Sequence, residues 1–312
     1  DISNRDRGMW IIDFCLGPEY GMSQGMLTLD EAALSFYEAP FAYAERIIKP
    51  DWKIGRRKNW YCHARPFAEM RAAIARLPRF LATTRHAKHR IFVWLPEGTI
   101  PDSALIAFAT DQDAMFGLLQ SRIHELWALV MGSTLEDRPR YTPNTTFETF
   151  PFPEGLRKTE KIINRDAGDE KQKQASSLSP PSPSSLLNSL SSVAARLNEA
   201  REQWLNPVGA SESELKKRTL TNLYNEREAG RCAWLNHLHR ELDTAVLALY
   251  GWSDLGPALF AAEDALRAAN AKGEALGLKL GRTAPGQALL ERLLALNLER
   301  AGASTNKSEG NC

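Results

Sequence analysis

The chain is poor in the features that would point at once to a chemistry. Its four cysteines, Cys15, Cys62, Cys232 and Cys312, are scattered without C-x-x-C spacing, which argues against both a zinc ribbon and a disulfide framework. No apolar run approaches the ~20 residues needed to cross a bilayer, and no charged-then-apolar leader opens the chain, so a cytoplasmic location is the expectation. No serine has the context of a nucleophile elbow. Net charge is only +1, which by itself favours no partner. The first residue is Asp1 rather than Met, and the chain is expected to be part of something longer or to have been trimmed.

What is present is room and local asymmetry. A length of 312 residues with 43% hydrophobic and 25% charged side chains can supply two ordinary domains, each with its own core. The near-zero average conceals a basic segment: Arg46 to Arg90 holds thirteen Lys and Arg against two acids, Asp51 and Glu69. Trp52, Trp60 and Tyr61 lie within it and could pack beneath a basic face or stack on bases. A solvated surface is the bland explanation, but an imbalance this large favours a polyanion partner.

Along the chain, Met9–Phe14 (MWIIDF) suits a buried strand. Thr28 and Glu31 stand at capping-box spacing before a helix to Tyr37, and Pro40 separates it from a second short helix ending at Lys49. Pro66 opens a helix with Phe67, Met70, Ile74 and Leu77 on one face. Two strands, Phe80–Thr84 and Ile91–Leu95, flank the basic turn RHAKHR. Strands fix such a turn in place, and so present its cations to a phosphate backbone. After an apolar run at Ala104–Ala109, one helix with Phe116, Leu119, Ile123, Leu126 or Trp127, and Val130 on its buried face delivers a polar loop. Gly132–Ser133 offer that helix a stop, Pro139 and Pro143 keep the loop irregular, and Phe147, Phe150 and Phe152 tack its far end to the core.

From residue 156 to 192 the composition turns charged and then Ser/Pro-rich, the texture of a flexible linker or insertion. Helical periodicity returns at Val193–Trp204, at Leu235–Leu249 closed by Gly251, and at Pro285–Arg300. The last carries leucine rows 289-293-296 and 290-294-298, broad enough for burial on more than one side. The expected organisation is a mixed α/β (α+β) domain at 1–155, a linker at 156–192, an all-α domain at 193–301 and a disordered tail at 302–312.

The segments SRIHELWALVMGS (121–133) and RYTPNTTFETFPFP (140–153) resemble the end of the target-recognition region of large adenine-specific DNA methyltransferases of the MmeI-like kind, found in restriction-modification and phage-defence systems. The resemblance extends from MWIIDF to LERLLALNLERA (290–301). It implies a target-recognition domain followed by helices that complete a DNA clamp. The intact enzyme would transfer a methyl group from S-adenosylmethionine to adenine N6 in double-stranded DNA.

Such an enzyme needs a glycine-containing strand-to-helix turn for the cofactor and an Asn/Asp/Ser-Pro-Pro-aromatic tetrapeptide for the flipped base. Neither is in this chain. Pro180–Pro181 lacks the aromatic and sits in low-complexity sequence, and Asn206-Pro207-Val208-Gly209 also fails. In the family both motifs lie upstream of the target-recognition region. The chain alone is therefore expected to bind DNA, to bind no cofactor and to methylate nothing, with the methyltransferase domain as its partner in the same chain or as a separate subunit. A nuclease would need converging carboxylates, and Asp51-Trp52-Lys53 offers no second one. His86 with His89, and Cys62 with His63, could hold a metal, but Arg85, Lys88 and Arg90 make the first pair electrostatically poor for a divalent cation and better suited to phosphate. His124, His237 and His239 read as hydrogen-bonded structural histidines.

The candidate DNA-binding residues are Arg56, Arg57, Lys58, Arg85, Lys88, His89, Arg90, Arg138, Arg140 and Thr142. Lys and Arg would supply salt-dependent affinity, and polar residues of the loop 138–146 could reach base edges. Threonines beside proline also cap ordinary turns, and a segment shared across a family cannot easily vary with the target. The motif 141–153 is expected to be scaffold or backbone contact, with base readers elsewhere. The alternative function is a stand-alone specificity or adaptor subunit that docks onto a methyltransferase or defence complex through its leucine-rich C-terminal helices.

Overall fold

The computed structural model describes residues 38–49, 67–135, 138–156, 182–269 and 276–309. The expected Met9–Phe14 strand, the Thr28/Glu31 capping box, Trp52, Trp60 and Tyr61 lie outside them. The first described helix, α1 (Glu38–Ile47), accommodates Pro40 in its first turn, where a missing N–H leaves no intrahelical bond unmade. Helix α2 (Ala68–Ile74) turns Ile74 into the core with Met70 and Leu77 against it, while Phe67 stays half-exposed.

Three strands follow: β1 (Arg79–Thr84), β2 (Phe92–Pro96) and β3 (Leu105–Phe108). They form an antiparallel sheet in the order β2-β1-β3, with Leu81 opposite both Trp94 and Phe108. The central strand is buried from Phe80 to Thr83, so the apolar run reflects cover on both faces. The basic RHAKHR segment is, as expected, the β1–β2 turn.

The expected long helix is two. Helix α3 (Asp113–Gln120) ends and α4 (Arg122–Met131) begins at Ser121, whose backbone is extended at φ −69°, ψ 156°. Its Oγ accepts from the His124 N–H at 3.3 Å and donates to the Leu118 carbonyl at 2.6 Å. A serine that caps one helix and closes another can compete with continuing the first. The buried face carries over from Phe116 to Trp127, but Val130 ends up 59% exposed. The polar loop beyond Gly132 is more regular than its prolines suggest: β4 (Ser133–Leu135) pairs with β5 (Arg138–Arg140), and Pro143 starts the single turn α5 (Pro143–Thr146). Proline at a first helical position costs no hydrogen bond. A Cβ on Gly132 would stand 2.5 Å from the Ala128 carbonyl and 2.8 Å from that of Arg140, so only glycine lets β5 fold back onto α4.

The helical region starts earlier than composition indicates. Helix α6 (Pro183–Leu205) is capped by the Ser182 side chain, and its Leu187 and Leu190 pack on the core. Residues 183–192, expected in the linker, are thus helix, because low complexity does not remove the Leu spacing that buries Leu190 against Gly117. Then come α7 (Glu212–Lys217) with a complete Ser211/Glu214 capping box, α8 (Leu220–Glu228), α9 (Ala233–Tyr250) and a 3-10 turn (Ser253–Leu255). Helices α10 (Gly256–Ala269), α11 (Leu276–Leu280) and α12 (Ala284–Glu309) complete the region. Gly251 closes α9 at φ 70°, the left-handed cap that glycine suits. Helix α12 continues into the residues expected as a tail. Of its two leucine rows, Leu289 and Leu293 are buried, whereas Leu294 and Leu298 are exposed. One apolar cluster runs from Ile74 through the sheet, α3 and α4 into α6, α9 and α12.

Candidate nucleic-acid interface

The β1–β2 turn and the β4–β5 hairpin meet. His86 forms an isolated antiparallel bridge to Arg140, the Tyr141 N–H donates to the Arg85 carbonyl at 2.8 Å, and the Ala87 N–H donates to the Pro139 carbonyl at 3.4 Å. Two segments separated by fifty residues therefore offer one continuous edge. Lys88 and Arg140 are exposed on it, and Arg85 is partly exposed. Arg85 is fixed from the residues just before β3, its backbone N–H donating to the Ala104 carbonyl at 2.7 Å and its Nε to the Ser103 carbonyl at 3.1 Å.

Two predicted contact residues are not on this surface. Arg90 is buried: its guanidinium donates to Thr83 Oγ1 at 3.2 Å, to the Pro139 carbonyl at 3.3 Å and to the Thr84 carbonyl. It also lies 5.0 Å from the centre of the Tyr141 ring. Burial lowers its pKa to about 10, with Tyr141 and Glu125 opposing the fall, so it keeps its charge at neutral pH as the pin joining the sheet to the hairpin. His89 is buried as well, with Nε2 2.8 Å from Asn225 Oδ1 and Nδ1 3.6 Å from Glu228 Oε1. Both residues are spent on groups distant in sequence, and no local pattern could announce that. Arg56, Arg57 and Lys58 lie outside the described residues, and Arg138 is placed in β5 opposite Leu135.

The motif after β5 is built as a brace. The Tyr141 hydroxyl is 2.9 Å from His124 Nε2 in a fully buried pair, flanked edge-on by Phe92 and Phe108. Burial takes the Tyr141 pKa well above its usual value and the His124 pKa down to about 3, the latter helped by Arg90. The pair is therefore neutral at physiological pH. Hydroxyls of Thr145 and Thr146 donate to the Thr142 carbonyl, and that of Thr149 donates to the Thr145 carbonyl. Thr142 contributes its carbonyl to the turn rather than a side-chain cap. His239 resembles His124, buried with Nε2 2.9 Å from the Tyr224 hydroxyl. His237 differs from expectation: it is exposed and paired with Glu241 at 2.7 Å, because α9 turns only one face inward.

Below the turn lies an ionic hub. The Glu263 carboxylate receives Arg122 at 2.5 Å, Arg267 at 2.8 Å and Arg227 at 3.3 Å, all buried. Burial alone would raise Glu263, but the three guanidinium groups outweigh it and hold the carboxyl at about 2. Asp243 caps α4 by accepting the Arg122 N–H at 2.7 Å; burial, reinforced by Glu263, pushes it up to about 7. Arg201 reaches from α6 to the Phe92 carbonyl at 2.7 Å and to Gln120 Oε1 at 3.1 Å. The described residues contain no group of three or more His, Cys, Asp or Glu positioned to hold a metal ion.

No curated protein matches the chain. Among solved structures it is similar to the Type IIL restriction-modification enzyme MmeI in complex with DNA, at 18% identity and a TM-score of 0.37. The alignment covers 61% of this chain and 21% of that one, so the chain spans about a fifth of that enzyme's length. The stretch that holds the sheet, the basic turn, the hairpin and the brace, residues 61–154, matches the family model described as MmeI, target recognition domain.

Proposed function

We propose that this chain recognises a specific sequence in double-stranded DNA, as the recognition portion of a restriction-modification enzyme. The observation that carries this reading is the target-recognition match over residues 61–154, the stretch in which the structure joins the basic turn to the β4–β5 hairpin. Exposed Lys88 and Arg140, with Arg85 beside them, would contact phosphates, while the buried brace 141–152 holds the edge in shape. Arg56, Arg57 and Lys58 belong to the same basic segment in sequence, Arg138 lies in β5, and Thr142 follows that strand. Arg90 and His89 are withdrawn from the contact set as buried supports.

In the finer reading, the intact protein methylates adenine N6 from S-adenosylmethionine, in a restriction-modification or phage-defence system, with the cofactor held by a methyltransferase domain outside this chain. A separately encoded adaptor is the second reading. Exposure of Leu294 and Leu298 on α12 favours it, since paired leucines in water invite a partner.

Phosphate contact has a direct signature. Log affinity for duplex DNA should fall linearly with log salt, and replacing Arg85, Lys88 and Arg140 together by Ala should reduce the slope by roughly three, at ~0.9 per phosphate. A slope unchanged by the triple replacement would place the contact face elsewhere. Selection from a randomised duplex pool tests specificity: recovery of one recurring sequence is expected, and an unenriched pool would overturn it.

A further inference from the structure

The exposed cation at the tip of the β1–β2 turn is held by the helical region rather than by the sheet. Asn225 Oδ1, on α8, accepts from Lys88 Nζ at 2.8 Å and stands 2.8 Å from His89 Nε2. A lysine ammonium can only donate, so the atom facing it is the amide oxygen, and the His89 Nε2 facing the same oxygen must carry its proton. The other ring nitrogen of His89 faces Glu228, one helical turn further along α8, at 3.6 Å. The base of the turn is tied to Ala104 and Tyr141 through Arg85, but its tip rests on α8.

That last turn of α8 is anchored on its other sides. The Tyr224 hydroxyl is paired with His239, Arg227 joins the Glu263 hub, and Glu228 accepts from the Leu276 N–H at 3.4 Å. Residues 224, 225, 227 and 228 thus connect the helical core to Lys88 and His89, more than 130 positions away in sequence. A lysine has three rotatable donors on a flexible stem and loses considerable rotamer freedom when fixed. An acceptor that holds the ammonium in the free protein removes part of that loss before the ligand arrives.

We infer that Asn225 is a positioning residue for DNA contact: with its amide oxygen held by His89, it fixes the Lys88 ammonium at the tip of the basic turn, so that the helical region sets the affinity of a surface it does not form. This rests on the reading that the turn contacts duplex phosphates. The arrangement predicts dependence, because Asn225 acts through the turn and makes no DNA contact of its own.

The test is a double-mutant cycle on the full 312-residue chain, with binding to a mixed-sequence DNA duplex measured across a salt series. K88A is expected to weaken binding about fivefold and N225A about threefold, with the double variant no weaker than K88A alone to within about twofold. Additive losses would overturn the inference, since a merely structural defect does not need Lys88. Tighter binding by N225A would also overturn it, by showing that Asn225 competes with phosphate for the ammonium. Thermal unfolding of each variant is followed alongside. If N225A proves too unstable to purify, N225S, which keeps a hydroxyl acceptor near His89, enters the same cycle with the same expectations. Failure of the underlying reading is seen separately, as no salt-dependent DNA binding by the unmodified chain or no effect of R85A and R140A.

Discussion

The sheet-bearing region and the helical region treat their polar residues in opposite ways. Around the sheet, the core is mostly aromatic: Phe92, Phe108, Tyr141, His124 and Phe150 meet edge to face, the buried charge of Arg90 is met by backbone carbonyls, and the exposed cations sit on a turn and a hairpin. In the helical region the core is leucine, from Leu197 through Leu242 to Leu293, and charges are buried where that core meets α4, with one carboxylate among three arginines. Aromatic edges give a rigid support for a surface. Buried ion pairs give little net stability compared with apolar packing, but their loss on one side is costly, so they make the seam between regions intolerant of misplacement.

The largest test of this contrast is at the hub. Glu263→Ala removes the carboxylate shared by Arg122, Arg227 and Arg267, leaving Arg122 with Glu125 and Arg267 with Asp264, and is expected to cost about 3–5 kcal/mol in denaturant unfolding. A loss below ~1 kcal/mol would mean that water already reaches the seam. Next is the leucine face of α12. Leu289→Ala should cost about 2–5 kcal/mol as a cavity mutation, whereas Leu294→Ala should stay within about 0.5 kcal/mol as an exposed one. Equal costs would show that the outer row is covered.

The smallest step, read per pH unit, is in pH dependence. His124 has a folded pKa near 3 against 6.5 unfolded, and His239 is also lowered, by burial and then by neighbouring arginines. The unfolded chain therefore binds more protons below pH 6.5, and stability falls as the medium is acidified, by about 1.4 kcal/mol per pH unit per histidine. Asp243 works in the opposite sense: its folded pKa of about 7 lies above the unfolded 3.8, so protonation favours the fold between those values. His124→Gln should flatten the slope between pH 4 and 6.5, and Asp243→Asn should steepen it. A slope unchanged by both would remove these groups from the acid response.

Much of the architecture was legible locally. The β1–turn–β2 unit, β3, the α9 helix with its Gly251 cap and the anchoring role of Phe150 and Phe152 follow from spacing and turn chemistry, which act over a few residues. The break at Ser121 was hidden because its flanks keep one apolar period across it, and a serine there can be read as an ordinary helical surface residue. The start of α6 was hidden by composition, since serine and proline masked leucines that only gain meaning once Gly117 admits them. At the candidate interface, charge counting located the basic segment but ranked His89 and Arg90 with Lys88.

What the sequence by itself determined is the order of β1, the basic turn, β2, β3 and the long helices of the C-terminal region, because hydrophobic period, caps and breakers are short-range properties of the chain. Tertiary structure alone decided which cations remain in solvent. Arg90 turns inward because Pro139 and Tyr141 come to meet it, His89 because Asn225 and Glu228 do, and Lys88 stays outside with its ammonium held. Burial and hydrogen bonding depend on partners brought together across 49 to 137 residues, and that pairing is set by how the whole core packs.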